Sequence, residues 1–480
     1  MVEEMTTSDV DSAPTEIEQE REFEVIDIPL LLESNAKSSS KDGIYTEWSK
    51  CCIYRVPRKL RSVNEAAYTP QVVSIGPFHH GKPKLKAMEG LKSRYFDEFC
   101  RRTKKSRDSL KGIIDNECEQ SIRACYAGTF ELKKDKFVDM VVTDAGFIIE
   151  LLLRSTEKHE KDYIFSKPWL KTCIEQDLIL LENQLPFFVL EKIYNYAKPL
   201  SKPSKENVQE SSNWDILQGT RSYFSKYNLQ YTDPSSEVKH FTDLLRYYFC
   251  LPVRHTHEPL GKNRIESLRS ATNLDEAGVE FEVIDTQHTK NIVFEKGRCL
   301  THCPCFNCSW LLKCLPCFFH LLPNLKCEQP TLKLRRFEVD DTTECLFRNL
   351  MALEQCHYPN QVYVCNYVSL MDKLINTGED VDLLIEKKVI VNYLGSSKAV
   401  AQLLNKLCEQ IVEPNSCYYD CVQEINKHCN NPLNRIMATL TSVYFRDFWR
   451  GTATTVGIIV LCLTVWNIFL RHILKVNFRK

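Results

Sequence analysis

Apolar residues recur at intervals of three and four along five long stretches of the chain, which is the spacing of one face of an α-helix. The pattern predicts helices over five ranges: Lys136–Arg154, Pro168–Tyr196, Thr343–Cys356, Val362–Ile375 and Ser396–Val412. Pro186 lies inside the second range, where it would break a continuous helix but can open a new one. The sequence therefore predicts a mainly α-helical globular domain with a helix break at Pro186.

Two short stretches are rich in Val or Phe and bounded by turn residues, as expected of β-strands. They read TPQVVSIGPF, residues 69–78, and VEFEVID, residues 279–285. A third stretch, KPLSKPSKENVQESSN at residues 198–213, is polar and carries two prolines. Such a composition is typical of a linker, so this segment is a candidate boundary between two lobes.

The two ends of the chain differ from its body. Residues 1–23 are acidic and lack the apolar run of a secretory signal, so we expect a disordered arm before a domain covering residues 24–450. Residues 451–470, GTATTVGIIVLCLTVWNIFL, contain no charge and have the length needed to cross a bilayer core. Basic residues flank this run on both sides, and residues 471–480 form a short basic tail. The pattern favours one C-terminal transmembrane helix over a buried core helix.

The basic tail also bears on orientation. By itself it would place the C-terminus in the cytoplasm, but that orientation requires export of the body without a signal peptide. We therefore expect a single-pass C-terminal anchor with the body in the cytosol, and the plasma membrane is our first expectation for its location. A cytosolic body keeps its thiols reduced, which disfavours a disulfide framework despite 22 Cys.

Composition and motifs exclude several classes of function. The 480 residues, 43% of them apolar, can fill a sizeable core, while a formal charge of -1 gives no overall field to attract nucleic acid. The sequence contains no nucleophile elbow, phosphate-binding loop, His-Glu-x-x-His helix or kinase signature. We therefore expect no nucleic-acid partner and no cofactor, with zinc as the one exception considered below.

Seven segments together resemble a plant protein family. They read YRVPRKLRSVNEAAYTPQVVSIGPFHHG, LKSRYFDEF, DAGFIIELLLR, DLILLENQLPFFVLEKIY, ATNLDEAGVEF, LFRNLMALEQC and VSLMDKLINTGEDVDLLIEKKVIVNYLGS. This set resembles the plant domain of unknown function family 247, also called uncharacterised protein family 0481, from about Tyr54 to the C-terminal apolar run. The resemblance implies a membrane-attached plant protein without an established enzymatic activity. Some relatives are associated with self-incompatibility in grasses, which suggests recognition or signalling.

Two of these motifs contain polar residues that invite a chemical reading. In GPFHHG, His79 and His80 are adjacent, and adjacent side chains of an extended segment point to opposite faces. A turn is therefore favoured over chelation of one ion. In LLENQLPFF, Glu182, Asn183 and Gln184 lie between apolar runs. Hydrogen bonding that closes the helix break before Pro186 is favoured over a catalytic carboxylate.

The run RRTKKSR, residues 101–107, is the most basic part of the body. It could bind anionic lipid head groups or an acidic peptide. The residues that would do so are Arg101, Arg102, Lys104, Lys105 and Arg107. A solvated helix face is the stronger alternative.

A cysteine-rich stretch at residues 299–327 resembles an insertion in the family pattern. Four of its thiols could bind zinc, although the two pairs lie closer together than usual: Cys305, Cys308, Cys314 and Cys317. Its Trp and Phe residues also suit a membrane interface, where cysteines are candidates for reversible acylation: Cys303, Cys305, Cys308, Cys314 and Cys317. Disulfide formation and packing into the core are the remaining alternatives, and the interfacial membrane segment is narrowly favoured.

Taken together, the anchor and the missing catalytic motifs predict a membrane-attached recognition or signalling component. It would act in a lipid bilayer through protein partners that the sequence does not identify. The alternative is an enzyme of an unfamiliar type.

Overall fold

The computed structural model describes residues 50–157, 162–198, 215–228, 237–249, 263–284, 292–296, 330–432 and parts of 453–469. The arm at 1–23, the cysteine-rich insertion at 299–327 and the tail at 471–480 lie outside these residues, as does 199–213 of the proposed linker. Within the described ranges helices predominate and the strands are short. The prediction of a mainly α-helical globular fold is thus confirmed.

The described helices and strands have the following bounds. The helices are α1 Arg58–Arg61, α2 Lys86–Thr103, α3 Arg107–Gly112, α4 Asn116–Ala124, α5 Lys134–Thr156, α6 Pro168–Ile179, α7 Phe187–Ala197, α8 Ile216–Tyr223, α9 Phe241–Phe249, α10 Ala271–Glu276, α11 Thr343–His357, α12 Tyr363–Leu374, α13 Gly378–Glu386, α14 Ser397–Leu407 and α15 Tyr419–Asn430. The strands are β1 Ile53–Tyr54, β2 Tyr126–Ala127, β3 Glu280–Val283, β4 Ile292–Glu295, β5 Thr331–Leu334, β6 Phe337–Val339 and β7 Ile390–Asn392.

The five predicted helical ranges correspond to α5, to the pair α6 and α7, and to α11, α12 and α14. The break at Pro186 is confirmed, because α6 ends at Ile179 and α7 begins at Phe187 with Pro186 as its N-cap. Proline fits that position because it has no N–H to leave unpaired in the first turn.

Helix α5 occupies the centre of the core. Its side chains from Phe137 to Leu153 are buried almost without interruption, as expected of a helix that is apolar on every face. Gly146 lets α2 approach closely, since a Cβ at this position would lie 2.4 Å from the Phe96 ring. The main apolar core includes residues from both sides of the proposed linker, such as Ile179 and Leu244.

In the described ranges, three small sheets accompany the helices. Strands β1 and β2 pair in parallel, as do β6 and β7. In the third sheet the order is β3-β5-β4, with β3 parallel and β4 antiparallel to β5. Strand β3 confirms the strand predicted at residues 279–285.

The strand predicted at residues 69–78 is wrong, because this segment has no strand partner. Its backbone groups bond to side chains instead. Asp177 accepts from the N–H groups of Gln71, Val72 and Val73 at 2.7–2.8 Å. A segment whose donors are already satisfied by side chains has no ladder to form.

The predicted C-terminal span, residues 451–470, is only partly described. Residues 459–469 are helical there, and their side chains are exposed. Among the residues that the structure describes, no helix combines the length and the apolar character needed to cross a membrane.

Candidate functional site

A buried carboxylate, Glu182, lies in the segment between α6 and α7 and joins three parts of the chain. Its Oε1 accepts from the Val56 N–H at 2.6 Å and lies 2.6 Å from Nη2 of Arg61. Its Oε2 lies 3.0 Å from Nε2 of His79. Both Glu182 and His79 are almost completely buried. This carboxylate therefore ties the segment after β1, helix α1 and the GPFHHG turn to the helix break.

The two histidines of that turn have different environments. The Nζ of Lys82 lies 2.8 Å from Nδ1 of His79, so Nδ1 acts as an acceptor and Nε2 carries the proton that faces Glu182. Burial lowers the pKa of His79, and the nearby Lys82 and Arg61 act in the same direction, although Glu182 opposes them. His80 is exposed. The two rings therefore do not share one ligand.

The next two residues close the break. Asn183 accepts from the Ile75 N–H at 2.7 Å and donates to the Val73 carbonyl at 3.0 Å. Gln184 donates to the carbonyls of Leu178 and Leu180, and both carbonyls lie at the end of α6. Carbonyls at a helix end have no partner within the helix, so Gln184 supplies one.

Glycine is required where this turn passes closest to the break. Gly76 has φ of +71°, and a Cβ there would lie 2.5 Å from the carbonyl oxygen of Gln184. Its N–H donates to Oδ2 of Asp144 at 2.9 Å, while Oδ1 of the same carboxylate lies 2.7 Å from Nζ of Lys92. The glycine of the motif GPF is thus required because the backbone of Gln184 passes so close to it.

The oxygens of Glu182 already have three hydrogen-bond donors, which limits the chemistry that this arrangement permits. Burial raises the pKa of Glu182, but the hydrogen bond from His79 and the charge of Arg61 outweigh it, so the net pKa lies below the ordinary value. A general base needs a pKa near the working pH and room for a substrate proton. Glu182 fits the structural role predicted from the sequence better than a catalytic one.

Sequence reasoning missed a second polar group next to β1. The Tyr54 hydroxyl lies 2.9 Å from Nδ1 of His357, and Nζ of Lys239 lies 2.6 Å from its Nε2. Burial and the nearby Lys239 lower the pKa of His357 to about 4. These residues are 303 and 118 positions apart along the chain, so no local motif marks them.

The basic residues of the run at 101–107 lie in different environments in the structure. Arg102 pairs with Glu150 at 3.0 Å and with Glu157 at 2.6 Å, and Arg107 lies 3.1 Å from Asp139. The other three have different settings: Arg101 pairs with Glu98, Lys104 is exposed at the end of α2, and Lys105 lies over the Tyr196 ring. Three of the five charges are thus paired with carboxylates of the same chain.

Neither proposal for the cysteine-rich insertion can be placed on this structure. The insertion, with Cys303, Cys305, Cys308, Cys314 and Cys317, lies outside the described residues. Within the described ranges, no group of three or more His, Cys, Asp or Glu side chains is arranged to hold a metal ion.

Sequence reasoning also missed the buried charge of Arg335. It lies between β5 and β6 and is 8% exposed. The sequence shows only an Arg-Arg pair there, and such a pair gives no sign that its first member faces inward.

Comparison with known proteins gives the family. The family described as "Plant protein of unknown function", domain of unknown function 247, matches residues 53–463. The chain is 26% identical to UPF0481 protein At3g47200 of Arabidopsis thaliana over 91% of this chain and 87% of that protein. It is 23% identical to Putative UPF0481 protein At3g02645 of Arabidopsis thaliana over 87% of this chain and 89% of that protein. No solved structure matches. The chain therefore belongs to the plant domain of unknown function family 247.

Proposed function

We propose that the protein is a recognition or signalling component that binds partner proteins while its C-terminal segment holds it in a membrane. The body would lie in the cytosol and the segment at residues 451–470 would insert in the bilayer. The observation that carries the proposal is the exposure of apolar side chains in the described part of that segment.

Large apolar side chains at residues 459–469 are mostly exposed to solvent. Leu461 is 67% exposed, Trp466 60% and Phe469 57%. Outside residues 451–470, the exposed large apolar side chains of the described chain are scattered: Tyr163, Trp169, Tyr196, Val283, Tyr393 and Val412. A contiguous exposed apolar surface marks a membrane or protein contact, whereas scattered residues need no explanation.

Binding is favoured over catalysis by the state of the buried carboxylates. Glu182 has three donors, and Asp177 has three backbone N–H donors. Glu354 accepts from the N–H groups of Val364 and Cys365 and pairs with Arg246 at 3.0 Å. Carboxylates whose oxygens are occupied in this way hold neighbouring segments in place.

The anchor is tested by fractionation of plant microsomes. We expect the full chain to resist a carbonate wash and a chain lacking residues 451–480 to appear in the soluble fraction. The double variant Leu461→Arg with Leu463→Arg should also be released, since each arginine near the centre of a span costs about 3 kcal/mol. Leu461→Ile with Leu463→Ile is the matched control and should stay in the membrane. Retention of the truncated chain would rule out this anchor.

Orientation and partners need separate measurements. Protease added to sealed microsomes should remove an N-terminal tag and spare a tag placed after Lys480. Protection of the N-terminal tag would reverse the proposed orientation. Proximity labelling from the native membrane should then recover the same partners for the wild type and the Ile control. A tightly bound cofactor in native mass spectrometry of the purified chain would instead favour an enzyme.

A further inference from the structure

A basic surface lies around the buried Glu182, on residues 55–61 and 82–86. Its seven positive residues are Arg55, Arg58, Lys59, Arg61, Lys82, Lys84 and Lys86. All of them except Arg61 are exposed. Glu65 is the one acidic residue in the sequence from 55 to 86, so seven positive charges stand against one negative charge there.

Glu182 brings the two segments of this basic surface together. Nη2 of Arg61 lies 2.6 Å from Oε1 of Glu182, and Nε2 of His79 lies 3.0 Å from Oε2. On the other side of the histidine ring, Nζ of Lys82 lies 2.8 Å from Nδ1. Helix α1 and the segment after the GPFHHG turn therefore present their charges next to each other.

The cations of the basic surface act on one another. The guanidinium carbon of Arg55 lies 4.4 Å from the centre of the Phe78 ring, at the same turn. Burial lowers the pKa of Lys82, and the charges of Arg61 and Arg55 lower it further, although two carboxylates oppose them. Cations that repel one another in this way favour an anion beside them.

Most of these charges have no carboxylate partner. Within the described ranges, five cations of the basic surface form no ion pair: Arg55, Lys59, Lys82, Lys84 and Lys86. Glu65 lies 3.9 Å from Arg61, and Glu182 already has three donors. In the run at residues 101–107, three of the five basic residues pair with carboxylates. The basic surface therefore offers more unpaired charge than that run.

The composition of this charge favours many spread anions over one phosphate group. Four of the five unpaired cations are lysines, whose ammonium groups act as point charges on flexible stems. A single bound phosphate is more often held by the planar fork of arginine. The lysines also lie on two separate segments, and a lipid leaflet with many negative head groups can meet all of them at once.

We propose that the basic surface contacts anionic lipid head groups in the leaflet that faces the body of the protein. This inference rests on the proposed anchor and cytosolic body, because the anchor keeps the basic surface near that leaflet. Each basic residue close to an anionic leaflet adds to the attraction, so the four lysines and Arg55 together hold the body against the membrane.

Lysine acylation of the full chain, read by mass spectrometry, tests this contact. The chain is added to vesicles of phosphatidylcholine alone or of equal parts of phosphatidylcholine and phosphatidylserine. We expect labelling of Lys82 and Lys86 to fall by at least about fivefold in the anionic vesicles, which is the factor for one basic residue near such a leaflet. Lys398 and Lys427, exposed on α14 and α15, report general access and should be labelled equally in both. High salt should restore the labelling, because it screens surface charge.

A variant with fewer charges identifies the surface responsible. Lys59→Gln with Lys84→Gln leaves Lys82 and Lys86 as reporters and does not touch the contacts of Glu182. It should restore most of their labelling in the anionic vesicles, because two of the attracting charges are lost. The matched control, Lys398→Gln with Lys427→Gln, removes the same charge from another part of the chain and should keep the protection.

The proposal fails if labelling of Lys82 and Lys86 does not depend on lipid charge, or if the control variant loses protection as fully as the Lys59 and Lys84 variant. Protection by a polyglutamate peptide without protection by anionic vesicles would assign the surface to an acidic protein and also overturn it. Failure of the anchor is seen separately. It would leave the full chain unbound to the phosphatidylcholine vesicles on flotation, while the dependence of labelling on lipid charge would still be measured.

Discussion

The region around Glu182 and the region around Arg335 both bury charge, but they compensate it differently. Glu182 contacts Arg61, His79 and the Val56 N–H. Arg335 makes one hydrogen bond to a carbonyl and leaves Nη2 without a partner among the described residues. The charge of Glu182 is thus fully paired by the chain itself.

This difference should appear in the stability of the chain. A buried charge with its full set of partners holds segments together, and removing one partner is costly. A buried charge without an ionic partner lowers stability, and a chain that retains it gives up stability that an apolar residue would supply. The following variants test whether the two regions divide in this way.

The largest effect should come from Glu182→Ala. It would leave Arg61 and His79 without their carboxylate, and breaking a buried pair costs about 3–5 kcal/mol in free energy of unfolding. Urea denaturation of the full chain in detergent measures this loss. Glu65→Ala removes the exposed partner of the same arginine, 3.9 Å away and 77% exposed, and should cause no measurable loss. Equal losses in the two variants would mean that Glu182 is not the centre of the framework.

The next largest effect should be a dependence of the free energy of unfolding on pH, caused by the buried His240. Nε2 of His240 lies 3.0 Å from the Cys52 carbonyl and its Nδ1 accepts from the Asp243 N–H, which holds the ring neutral. Burial lowers the pKa of His240 to about 4 from 6.5. Between these values the unfolded chain binds more protons, so the free energy of unfolding should fall by about 3 kcal/mol as the pH falls from 6.5 to 4.

His240→Gln removes this titration and should flatten the curve in that window, while His79 and His357 leave a residual slope. His80→Gln, at an exposed histidine, is the control and should reproduce the wild-type curve. A wild-type slope in His240→Gln would show that another group carries the dependence.

A smaller effect should follow Gly76→Ala. The new Cβ would meet the Gln184 carbonyl and the residue has φ of +71°, so we expect a loss of about 2 kcal/mol. Gly81→Ala has a similar φ of +78° but open space around it, and should cost only about 1 kcal/mol. Thermal unfolding of the two variants separates close packing from backbone strain. Identical melting temperatures would contradict the close approach.

The smallest effect has the opposite sign. Arg335→Met removes the uncompensated charge while keeping much of the side-chain volume, so the free energy of unfolding should rise by about 1 kcal/mol. Arg61→Met is the contrast and should lower it, because Glu182 loses its cationic partner. A loss of stability in Arg335→Met comparable to that in Arg61→Met would erase the distinction between the two regions.

Much of the fold follows from local pattern. Helices α5, α11, α12 and α14 carry the three-and-four spacing, and the break at Pro186 follows from the chemistry of proline. The polar residues after α6 were also assigned to hydrogen bonding, because three of them interrupt an apolar run. These features depend on neighbours within a few residues.

The features that the local sequence pattern could not predict depend on partners far along the chain. Residues 69–78 have the composition of a strand, but Asp177, about 105 positions away, takes up their N–H groups. Arg335 and Arg336 look alike in sequence, yet one is nearly buried and the other pairs with Glu338 in a more exposed setting. Tertiary position alone distinguishes them.

The segment from Gln71 to Gly76 can reach its final conformation only late in folding. Its N–H groups donate to Asp144, Asp177 and Asn183, which lie on α5, on α6 and just after α6. The amide protons of Val73, Ile75 and Gly76 can therefore become protected from hydrogen exchange only after those helices have docked. They should also open together, so a slow exchange rate shared by these amides would report the integrity of the whole centre rather than of one loop.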